Sequence, residues 1–414
     1  MRARKVEVPE RARLAMIDAV QIEHFRSIPS QTVRMTNPIF LVGANGSGKS
    51  NFADVFSFLA DAMERPLQTV FDHRGGVSVV QHRSPDRRSR KVGLGIDLSN
   101  LHGDELEART AHYAFEAREV GGREIEVVRE QCVINLSNAR TYWFDREGES
   151  IRSNVAWVRE FKGKWFGASL AMPVIGSVSP FSLVHAALKG LKVYSIDPEA
   201  VSGMQETDSG LTLHTNGNNA ASVLTEIKSR APDDYRRIGE VLASVSSGID
   251  EVRPSGHGKQ MGFEFVQRWG GGKYELTFDA FNMSHGTLRA LGILLAVYQR
   301  VRPFLLVMEE PEASLHPGAV NTILNVLRNA TSEMQVIITT HSPEVLDSEG
   351  ITDESIRFVT WAEGKTTVSD LTESSRSAIR KHLMGIGELL RSNALEPAEL
   401  FENVRRSELF VEVE

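Results

Sequence analysis

Eight residues near the start of the chain have the types and spacing needed to hold a phosphate group. Residues 43–50 read GANGSGKS, follow the apolar run 39–42 and precede a helical pattern that extends to about Met63. A glycine-rich turn between a strand and a helix can wrap a pyrophosphate with backbone N–H groups, and the helix N-terminus adds a favourable partial charge. This pattern predicts a P-loop, although a turn that is merely rich in glycine is the alternative. Lys49 would reach the outer phosphates of ATP, and the Ser50 hydroxyl would hold Mg²⁺.

A second apolar run ends in carboxylates. Residues 304–308 (FLLVM) indicate a buried strand that ends at Glu309 and Glu310. Ligands of open α/β sheets bind at the carboxyl ends of the strands. One carboxylate can hold the Mg²⁺ water shell while its neighbour orients and deprotonates the attacking water. We therefore assign Glu309 to the metal and Glu310 to the water, with a solvated acidic loop as the alternative.

Two further segments are less specific when each is taken alone. Residues 335–339 indicate another apolar strand, which brings His341 to the same edge of the sheet, where it could contact a γ phosphate. A histidine after a strand is otherwise simply packed or solvated. Residues 284–287 (SHGT) open an amphipathic helix, and a serine or threonine at a helix start is otherwise an ordinary N-cap.

The order of these segments resembles the ABC-type ATPases of the RecF, SMC and OLD kind. More narrowly, the chain looks like the bacterial RecF-like AAA family ATPases of DNA repair and anti-phage defence loci. The resemblance implies an α/β fold class, a P-loop NTPase with an ABC-type ATPase head, a mixed sheet and an inserted α/β lobe. It also implies that residues 284–287 are the signature motif, 313–317 (ASLHP) the D-loop, and His341 the switch histidine.

The resemblance further touches residues 22–28, 74–76 and 387–390. It departs from the transporter pattern in two places, because residues 284–287 differ from Leu-Ser-Gly-Gly-Gln and because Glu309 stands where an aspartate is usual. Both departures favour the RecF-like branch over a transporter subunit.

The same resemblance implies a dimer, or a higher homo-oligomer, that encloses two ATP molecules head to tail. Each ATP would lie between one P-loop and the Ser284 and Gly286 of the other subunit, where a helix N-terminus offers positive partial charge. We thus expect the catalytic residues to be Glu310, His341 and Lys49, and the metal ligands to be Ser50 and Glu309. The expected nucleotide-binding residues are Asn45, Gly46, Ser47, Gly48, Lys49, Ser50, Asn51, Ser284 and Gly286.

Composition sets limits on the remaining possibilities. With 414 residues and 41% hydrophobic content, the chain can bury a large core. The single cysteine, Cys132, excludes an internal disulfide and a cysteine-based zinc cluster. We expect a cytoplasmic protein without membrane contact, because no apolar run approaches a membrane span and no signal-peptide core is present. The net charge of -7 argues against a uniformly basic nucleic-acid surface.

We expect three regions along the chain: 1–75 as the N-terminal part of the ATPase head, 76–275 as an inserted β-meander and helical lobe, and 276–414 as the C-terminal part of the head. Hydrophobic patterns predict strands at 19–25, 32–42, 92–98, 113–120, 125–134, 140–144, 262–267 and 273–278. They predict helices at 155–162, 180–188, 220–229, 233–246 and 375–391, a hairpin at 362–365, and a mobile loop at 201–219.

The partners of such a head are less well defined by sequence. The basic cluster 82–91 would suit DNA phosphates, although basic loops are usually just solvated. Gln81 is a candidate for the glutamine that joins ATP to lobe movement, with Gln68 in competition. About seventy residues follow His341, which is short for the Toprim nuclease domain of OLD-like relatives. Any nuclease or toxin activity would then belong to a separate effector protein.

Two functions are compatible with these patterns. The chain could be the ATPase sensor or scaffold of an anti-phage defence system, holding a separate effector until a signal changes the dimer. Alternatively, it could be a RecF-like DNA repair ATPase that clamps DNA in its ATP state.

Overall fold

Six strands form the sheet that carries the P-loop. The computed structural model describes residues 14–82, 91–103, 106–122, 124–161, 167–398 and 408–413. Their strands are β1 (Met16–Phe25), β2 (Ile28–Arg34), β3 (Ile39–Val42), β4 (Lys91–His102), β5 (Glu107–Val120), β6 (Glu124–Leu136), β7 (Thr141–Glu147), β8 (Ser150–Ser153), β9 (Leu191–Tyr194), β10 (Gln205–Glu206), β11 (Glu251–His257), β12 (Gln260–Trp269), β13 (Tyr274–Asp279), β14 (Leu305–Glu309), β15 (Gln335–Thr340), β16 (Ile356–Ala362) and β17 (Lys365–Ser369).

The helices connect and cover three sheets. They are α1 (Lys49–Glu64), α2 (Leu67–His73), α3 (Val77–Val80), α4 (Ala156–Arg159), α5 (Met172–Ile175), α6 (Ser182–Lys189), α7 (Pro198–Ser202), α8 (Ala220–Arg230), α9 (Pro232–Val245), α10 (His285–Tyr298), α11 (Pro317–Ala330), α12 (Pro343–Leu346), α13 (Glu373–Arg380) and α14 (Ile386–Arg391), with short 3-10 turns at Ala280–Asn282 and Asp353–Ser355.

The central sheet has the strand order β17-β16-β3-β15-β14-β9. All neighbours in it are parallel except β16 and β17, which form an antiparallel hairpin. Side chains alternate between its two faces, since Ile39 and Leu41 join one hydrophobic core while Phe40 and Val42 join the other. A parallel strand buried on both faces reads as a continuous apolar run, which is why these strands were visible in the sequence.

A seven-stranded antiparallel sheet, in the order β2-β1-β4-β5-β6-β7-β8, packs with α1 against one face of the central sheet. A small sheet of β10, β11, β12 and β13 lies with helices α8 to α11 on the other side. The fold is therefore an ABC-type ATPase head with a mixed sheet and further α/β material, as the resemblance implied.

The expected regions do not coincide with whole sheets. Range 76–275 supplies β4 to β8, but these pair with β1 of range 1–75 in the antiparallel sheet. The same range also supplies β9, which pairs with β14 in the central sheet. The division of the chain into domains stays a prediction.

Most predicted elements are present, and four differ. The predicted strand 32–42 was wrong, because Pro38 has no N–H to donate and the segment divides into β2 and β3 in different sheets. The predicted helix 375–391 is two helices, since the chain turns at His382 (φ 52°) before α14. The predicted helix 155–162 is limited to the four residues of α4 among the described ones.

The predicted mobile loop 201–219 begins inside α7 and is held by buried side-chain amides. Gln205 Nε2 donates to the carbonyls of Ala200 and Val201 at 3.0 and 3.1 Å, and Asn219 Nδ2 donates to the Thr212 carbonyl at 2.9 Å. The polar composition of this segment reflects internal hydrogen bonding. Among the described residues, every helix is too short or too polar to traverse a lipid bilayer.

Phe58 joins the P-loop helix α1 to the antiparallel sheet. Its fully buried ring meets Phe25 of β1 and Phe71 of α2 edge-on, at centroid distances of 5.4 and 5.2 Å, and stacks near Phe115 of β5 at 6.3 Å. Such aromatic packing contributes beyond simple area burial.

We expect Phe58→Ala to lower the free energy of unfolding by about 3–5 kcal/mol, because it leaves a cavity between α1 and the sheet. Phe281→Ala is the matched control, since Phe281 is 85% exposed and its loss should cost no more than about 0.5 kcal/mol. Urea unfolding followed by circular dichroism measures both. Equal effects of the two substitutions would contradict the packing described for Phe58.

Candidate functional site

The carboxyl ends of three adjacent parallel strands meet at one edge of the central sheet. Thr340 of β15 pairs with Val42 of β3, and Glu309 of β14 pairs with Thr339 of β15. The P-loop follows β3, His341 follows β15, and Glu310 follows β14. The register therefore brings together the three sequence segments expected to handle phosphate, metal and water.

The P-loop is a tight turn that leads directly into α1. Gly48 precedes the helix with φ 103°, a left-handed conformation that favours glycine, and no side chain caps the first turn of α1. Lys49 Nζ donates to the carbonyls of Gly43 and Ala44 at 2.8 and 3.1 Å. The lysine thus folds back over its own loop, with uncapped helix N–H groups beside it.

The charge of Lys49 interacts with those of three nearby glutamates. Burial lowers the pKa of its ammonium group, while the charges of Glu310, Glu312 and Glu309 act in the opposite direction. Burial likewise raises the pKa of Glu312, whose Oε1 accepts a hydrogen bond from Thr340 Oγ1 at 2.5 Å. This arrangement suits a nucleotide bound with a divalent cation, because the lysine can pair with phosphate oxygens while the carboxylates pair with the metal.

Two features of the loop fit a bound phosphate. The hydroxyl of Ser47 is buried and has no hydrogen-bond partner among the described residues, so it is available to an incoming oxygen. At Gly43 a Cβ would lie 2.3 Å from the Val359 carbonyl, and at Gly48 it would lie 2.1 Å from Thr366 Oγ1. Neither glycine has space for a side chain, which leaves the backbone itself to line the loop.

The other residues expected at the P-loop differ in exposure. Asn45, Gly46 and Ser50 are exposed, so their groups face solvent where a nucleotide would approach. Asn51 instead donates from Nδ2 to Ser27 Oγ at 2.6 Å, which ties α1 to the turn between β1 and β2. In this structure the Asn51 side chain therefore bonds to the β1–β2 turn, and its role at a nucleotide stays a prediction.

Glu310 is fixed in a strained backbone conformation. Its φ is 42°, a left-handed value that is costly for a glutamate. The N–H of Glu310 donates to both the carbonyl and the hydroxyl of Thr339 at 3.1 Å, and its carbonyl accepts from Arg289 at 3.0 Å. Its Oε1 lies 3.2 Å from Nδ1 of His341. This strain is held at the residue we assign to water activation, where a fixed carboxylate is useful.

Glu309 is the last residue of β14 and is partly exposed beside Glu310. No group of three or more His, Cys, Asp or Glu side chains in the described part of the chain is arranged to hold a metal alone. Mg²⁺ usually keeps several waters and takes only one or two protein carboxylates together with substrate phosphates. The donor set of Ser50 and Glu309 therefore fits Mg²⁺ bound with a nucleotide.

The expected signature segment begins α10 as a conventional N-cap. Ser284 Oγ accepts from the Thr287 N–H at 3.1 Å, and the Thr287 hydroxyl donates to Ser246 Oγ at 3.1 Å. The Ser284 side chain is nonetheless exposed. At Gly286 a Cβ would lie 2.5 Å from the Ser314 carbonyl, so the expected D-loop packs directly on this glycine. The N-cap and the close approach explain both residue types without excluding a contact with nucleotide.

Arg289, which links α10 to the sheet edge at Glu310, was not predicted from the sequence. Its guanidinium is half-buried, burial lowers its pKa, and its Nε has no hydrogen-bond partner among the described residues. The available signal was a lone charge inside the otherwise apolar stretch 288–297, because a buried charge requires partners. Glu312 and Thr366 were also missed; Thr366 had no local signal because it packs on the P-loop from β17.

Two predicted features of the lobe gain no support. Residues 83–90 of the basic cluster lie outside the described residues. Gln68 accepts from the Ile125 N–H at 2.9 Å, and Gln81 forms an isolated bridge with Phe25, so neither geometry identifies the glutamine that senses ATP.

Arg26 and Arg74, which lie in segments that carried the resemblance, both bind Asp54 of α1, at 2.6 and 3.1 Å. Arg26 follows β1 and Arg74 follows α2, so these two ion pairs hold α1 against the antiparallel sheet and against the end of α2.

Fold and site together define an ABC-type ATPase of the OLD and SMC kind. The sequence profile of the family described as "AAA domain, putative AbiEii toxin, Type IV TA system" matches residues 39–126 and 193–347, more than half of the chain. The chain belongs to this family.

Comparison with curated proteins finds the "Old nuclease" of Escherichia phage P2. The two sequences are 23% identical over an alignment of 357 residues, and the match covers 80% of this chain and 57% of the relative. The chain therefore spans little more than half the length of that nuclease.

Solved structures of SMC heads share the fold. One is an SMC head bound to the C-winged helix domain of ScpA, with a TM-score of 0.52, 14% identity, and coverage of 86% of this chain and 98% of that one. Another is the Smc head with an extended coiled coil from Pyrococcus furiosus, bound to the C-terminal domain of ScpA, with a TM-score of 0.52, 12% identity, and coverage of 89% and 100%.

We expect Lys49→Ala to abolish measurable ATP binding, because it removes the cation that lies over the P-loop and leaves three carboxylates facing the phosphates. Titration calorimetry with a non-hydrolysable ATP analogue measures this. Lys365→Ala is the control, since Lys365 is exposed on β17. ATP affinity that is the same in Lys49→Ala and the control would refute the assignment of this loop.

We expect Arg289→Met to lower ATP turnover by about 10- to 100-fold, because the Glu310 carbonyl loses its donor and the carboxylate moves. Arg289→Lys should restore part of the rate, and ATP affinity should stay unchanged in both. Arg300→Met, at an exposed arginine just after α10, is the matched control. If Arg289→Met turns over ATP like wild type, Arg289 has no positioning role.

Proposed function

We propose that this chain binds and hydrolyses ATP, dimerises around it, and acts as the sensor or scaffold that controls a separate effector in a bacterial anti-phage defence system. The observation that carries the proposal is the meeting of Lys49 with Glu309, Glu310 and Glu312 at one sheet edge. His341 completes this group through its contact with Glu310.

The residues of the edge can divide the chemistry of hydrolysis. Lys49 and the backbone of 45–51 would hold the phosphates, while Ser50 and Glu309 would hold Mg²⁺, which neutralises phosphate charge when bound. Glu310 would take a proton from water as the water oxygen bonds to the γ phosphorus. The bond to the bridging oxygen then breaks, and ADP and inorganic phosphate are the products.

His341 is placed to control the base. Its Nδ1 lies 3.2 Å from Glu310 Oε1, so the imidazole can orient the carboxylate in the absence of nucleotide. An exposed histidine at this position can also turn toward a γ phosphate. Exchange between these two partners would link the state of the nucleotide to the readiness of Glu310.

Dimerisation would place the N-terminus of α10 against the nucleotide of a second subunit. The described hydrogen bonds of Ser284 and Thr287 connect them to each other and to Ser246, and none connects them to residues 43–50 of the same chain. The exposed start of α10 has positive partial charge that favours an anion. Hydrolysis would remove the phosphate that joins the subunits, and the dimer would open.

Two comparisons support a role in defence. The family description names a toxin and a type IV toxin–antitoxin system, and the phage P2 relative is named a nuclease. In this proposal a separate protein supplies the effector activity. The RecF-like alternative, an ATPase that clamps DNA, is supported only by the shared ATPase fold.

Glu310→Gln tests the hydrolysis and the dimer together. The substitution keeps the size of the side chain but removes the base, so turnover should fall by about 10² to 10⁴ while ATP still binds. The ATP-bound dimer should then accumulate, which light scattering with and without ATP detects. Glu349→Gln, at an exposed glutamate, is the control and should behave like wild type.

This experiment tests the assignment of the base and the dimer mechanism with separate measurements. Normal turnover in Glu310→Gln would assign the base elsewhere, with Glu309 and His341 as the next candidates. Lost turnover without ATP-dependent association, in a variant shown to bind ATP, would contradict the dimer mechanism unless the wild type is already a stable oligomer by light scattering.

A second experiment distinguishes defence from repair. We expect a stable complex between this chain and the product of the adjacent gene when the two are co-expressed, and little change in turnover when DNA ends or gaps are added. Strong stimulation of hydrolysis by gapped DNA, with no such complex, would favour the repair function.

A further inference from the structure

The outer face of the antiparallel sheet has a trench of small residues. On β4, the side chains of Val92, Leu94 and Ile96 enter the core, which places Gly93 and Gly95 on the opposite, outer face. Gly95 pairs with Ala114 of β5, and Ala114 pairs with Gln131 of β6. Strands β4 and β5 thus present the small residues Gly93, Gly95 and Ala114 here, beside the polar Gln131 of β6.

Residues 408–413 lie in this trench as an irregular segment with bends at Leu409 and Phe410. A Cβ at Gly93 or Gly95 would meet the Leu409 side chain at 2.6 or 3.0 Å, and Leu409 is only 5% exposed. The guanidinium carbon of Arg129, a residue held by Asp145 through two hydrogen bonds, lies 4.4 Å from the centre of the Phe410 ring. The trench therefore accommodates one aliphatic and one aromatic side chain.

The segment is also recognised through its backbone. The fully buried amide of Gln131 pairs with Val411 in both directions, since Nε2 donates to the Val411 carbonyl and Oε1 accepts from the Val411 N–H, each at 2.9 Å. His112 Nε2 lies 3.0 Å from the Leu409 carbonyl, while its Nδ1 lies 2.7 Å from Asp97. The buried Gln131 amide is satisfied by the backbone of Val411, so the segment is held by main-chain hydrogen bonds as well as by its side chains.

The trench offers more than this segment uses. Gln21 is 4% exposed, and its Oε1 is buried beside Gly95 without a hydrogen-bond partner among the described residues. Beside residues 411–413 the trench adjoins a cleft of about 640 Å³, whose lining includes Asn135, Trp143 and Asn154. Gln21 Oε1 is an acceptor for a further backbone N–H, and the cleft has space for further residues of a peptide.

We propose that the outer face of the antiparallel sheet is a binding groove for an apolar peptide segment, and that residues 408–413 of the same chain are its resident occupant. The groove recognises a Leu-Phe-Val pattern by a glycine-lined trench, an arginine-stacked aromatic position and a glutamine that pairs with the backbone. It is spatially separate from the ATP site, because none of its residues belongs to the sheet edge that holds Lys49.

Hydrogen exchange in the full chain tests the occupant. Exchange of the Val411 amide should be slow in wild type and at least tenfold faster in Gln131→Glu, because the glutamate keeps the acceptor but opposes the Val411 carbonyl with a carboxylate. Gly93→Ala should have the same effect by filling the trench. Gly256→Ala is the matched control, since this strand glycine has open space around its Cβ position and should leave exchange at Val411 unchanged.

Peptide binding tests the groove directly. The probe is a fluorescent peptide with the sequence of residues 408–413, and the protein is the full chain with Leu409→Asp and Phe410→Ala, which disable the resident segment. This variant should bind the probe at least tenfold more tightly than wild type, because a tethered occupant competes at high effective concentration. Adding Gln131→Glu to it should abolish binding, whereas adding Gly256→Ala should not.

Three results would overturn the proposal. They are unchanged exchange at Val411 in Gln131→Glu, a probe that binds the disabled variant no better than wild type, and a wild-type dimer that dissociates on Leu409→Asp. The last result would assign the groove to the segment of a second copy. Unchanged melting temperatures of Gln131→Glu and Gly256→Ala verify that the comparison is made on folded protein.

Discussion

The parallel pairing of β3, β15 and β14 is the constraint on which the candidate site depends. Each strand ends at the same edge, and each is followed by a different chemical group: a lysine in a glycine turn, a histidine, and a pair of glutamates. The strands are buried on both faces, so their register is fixed by two hydrophobic cores at once. A slip of one residue in β14 would turn Leu306 and Met308 toward the wrong core and would also move Glu310 away from Lys49.

The second constraint is local strain at Glu310. A residue at φ 42° costs of order 1–3 kcal/mol, and the structure offsets this cost with hydrogen bonds that the Glu310 N–H donates to Thr339 and that the Glu310 carbonyl accepts from Arg289. Arg289 is itself half-buried with an unpaired Nε, and Glu312 nearby has a buried oxygen without a partner among the described residues. Arg289 Nε and Glu312 Oε2 belong to groups of opposite charge, and both are buried without a hydrogen-bond partner among the described residues. A site poised in this way can repack at small energetic cost when a polyanion enters.

Local signals account for what the sequence could predict. The P-loop, the acidic strand end and the strand before His341 each combine an apolar run with a polar end, so their meeting at one edge followed from the properties of parallel sheets. Arg289, Glu312 and Thr366 act through contacts made by tertiary packing, and only Arg289 had a local trace, as a lone charge in an apolar helix. The recruitment of β1 and β2 into the antiparallel sheet also could not be read locally, because β1 pairs with β4 across more than sixty intervening positions.

The P-loop helix α1 is held by ion pairs and aromatic packing on the side that faces the antiparallel sheet and α2. Arg26 and Arg74 both bind Asp54, and Phe58 packs against rings from β1, β5 and α2. On the other side, the loop is contacted by Thr366 and its own lysine. Because packed interiors transmit displacement and do not absorb it, a shift of α1 on nucleotide binding would have to be shared by the antiparallel sheet. The strands β4 to β6 that would carry this shift are the same strands whose outer face holds residues 408–413. A shift of α1 would therefore also move the strands that line the groove.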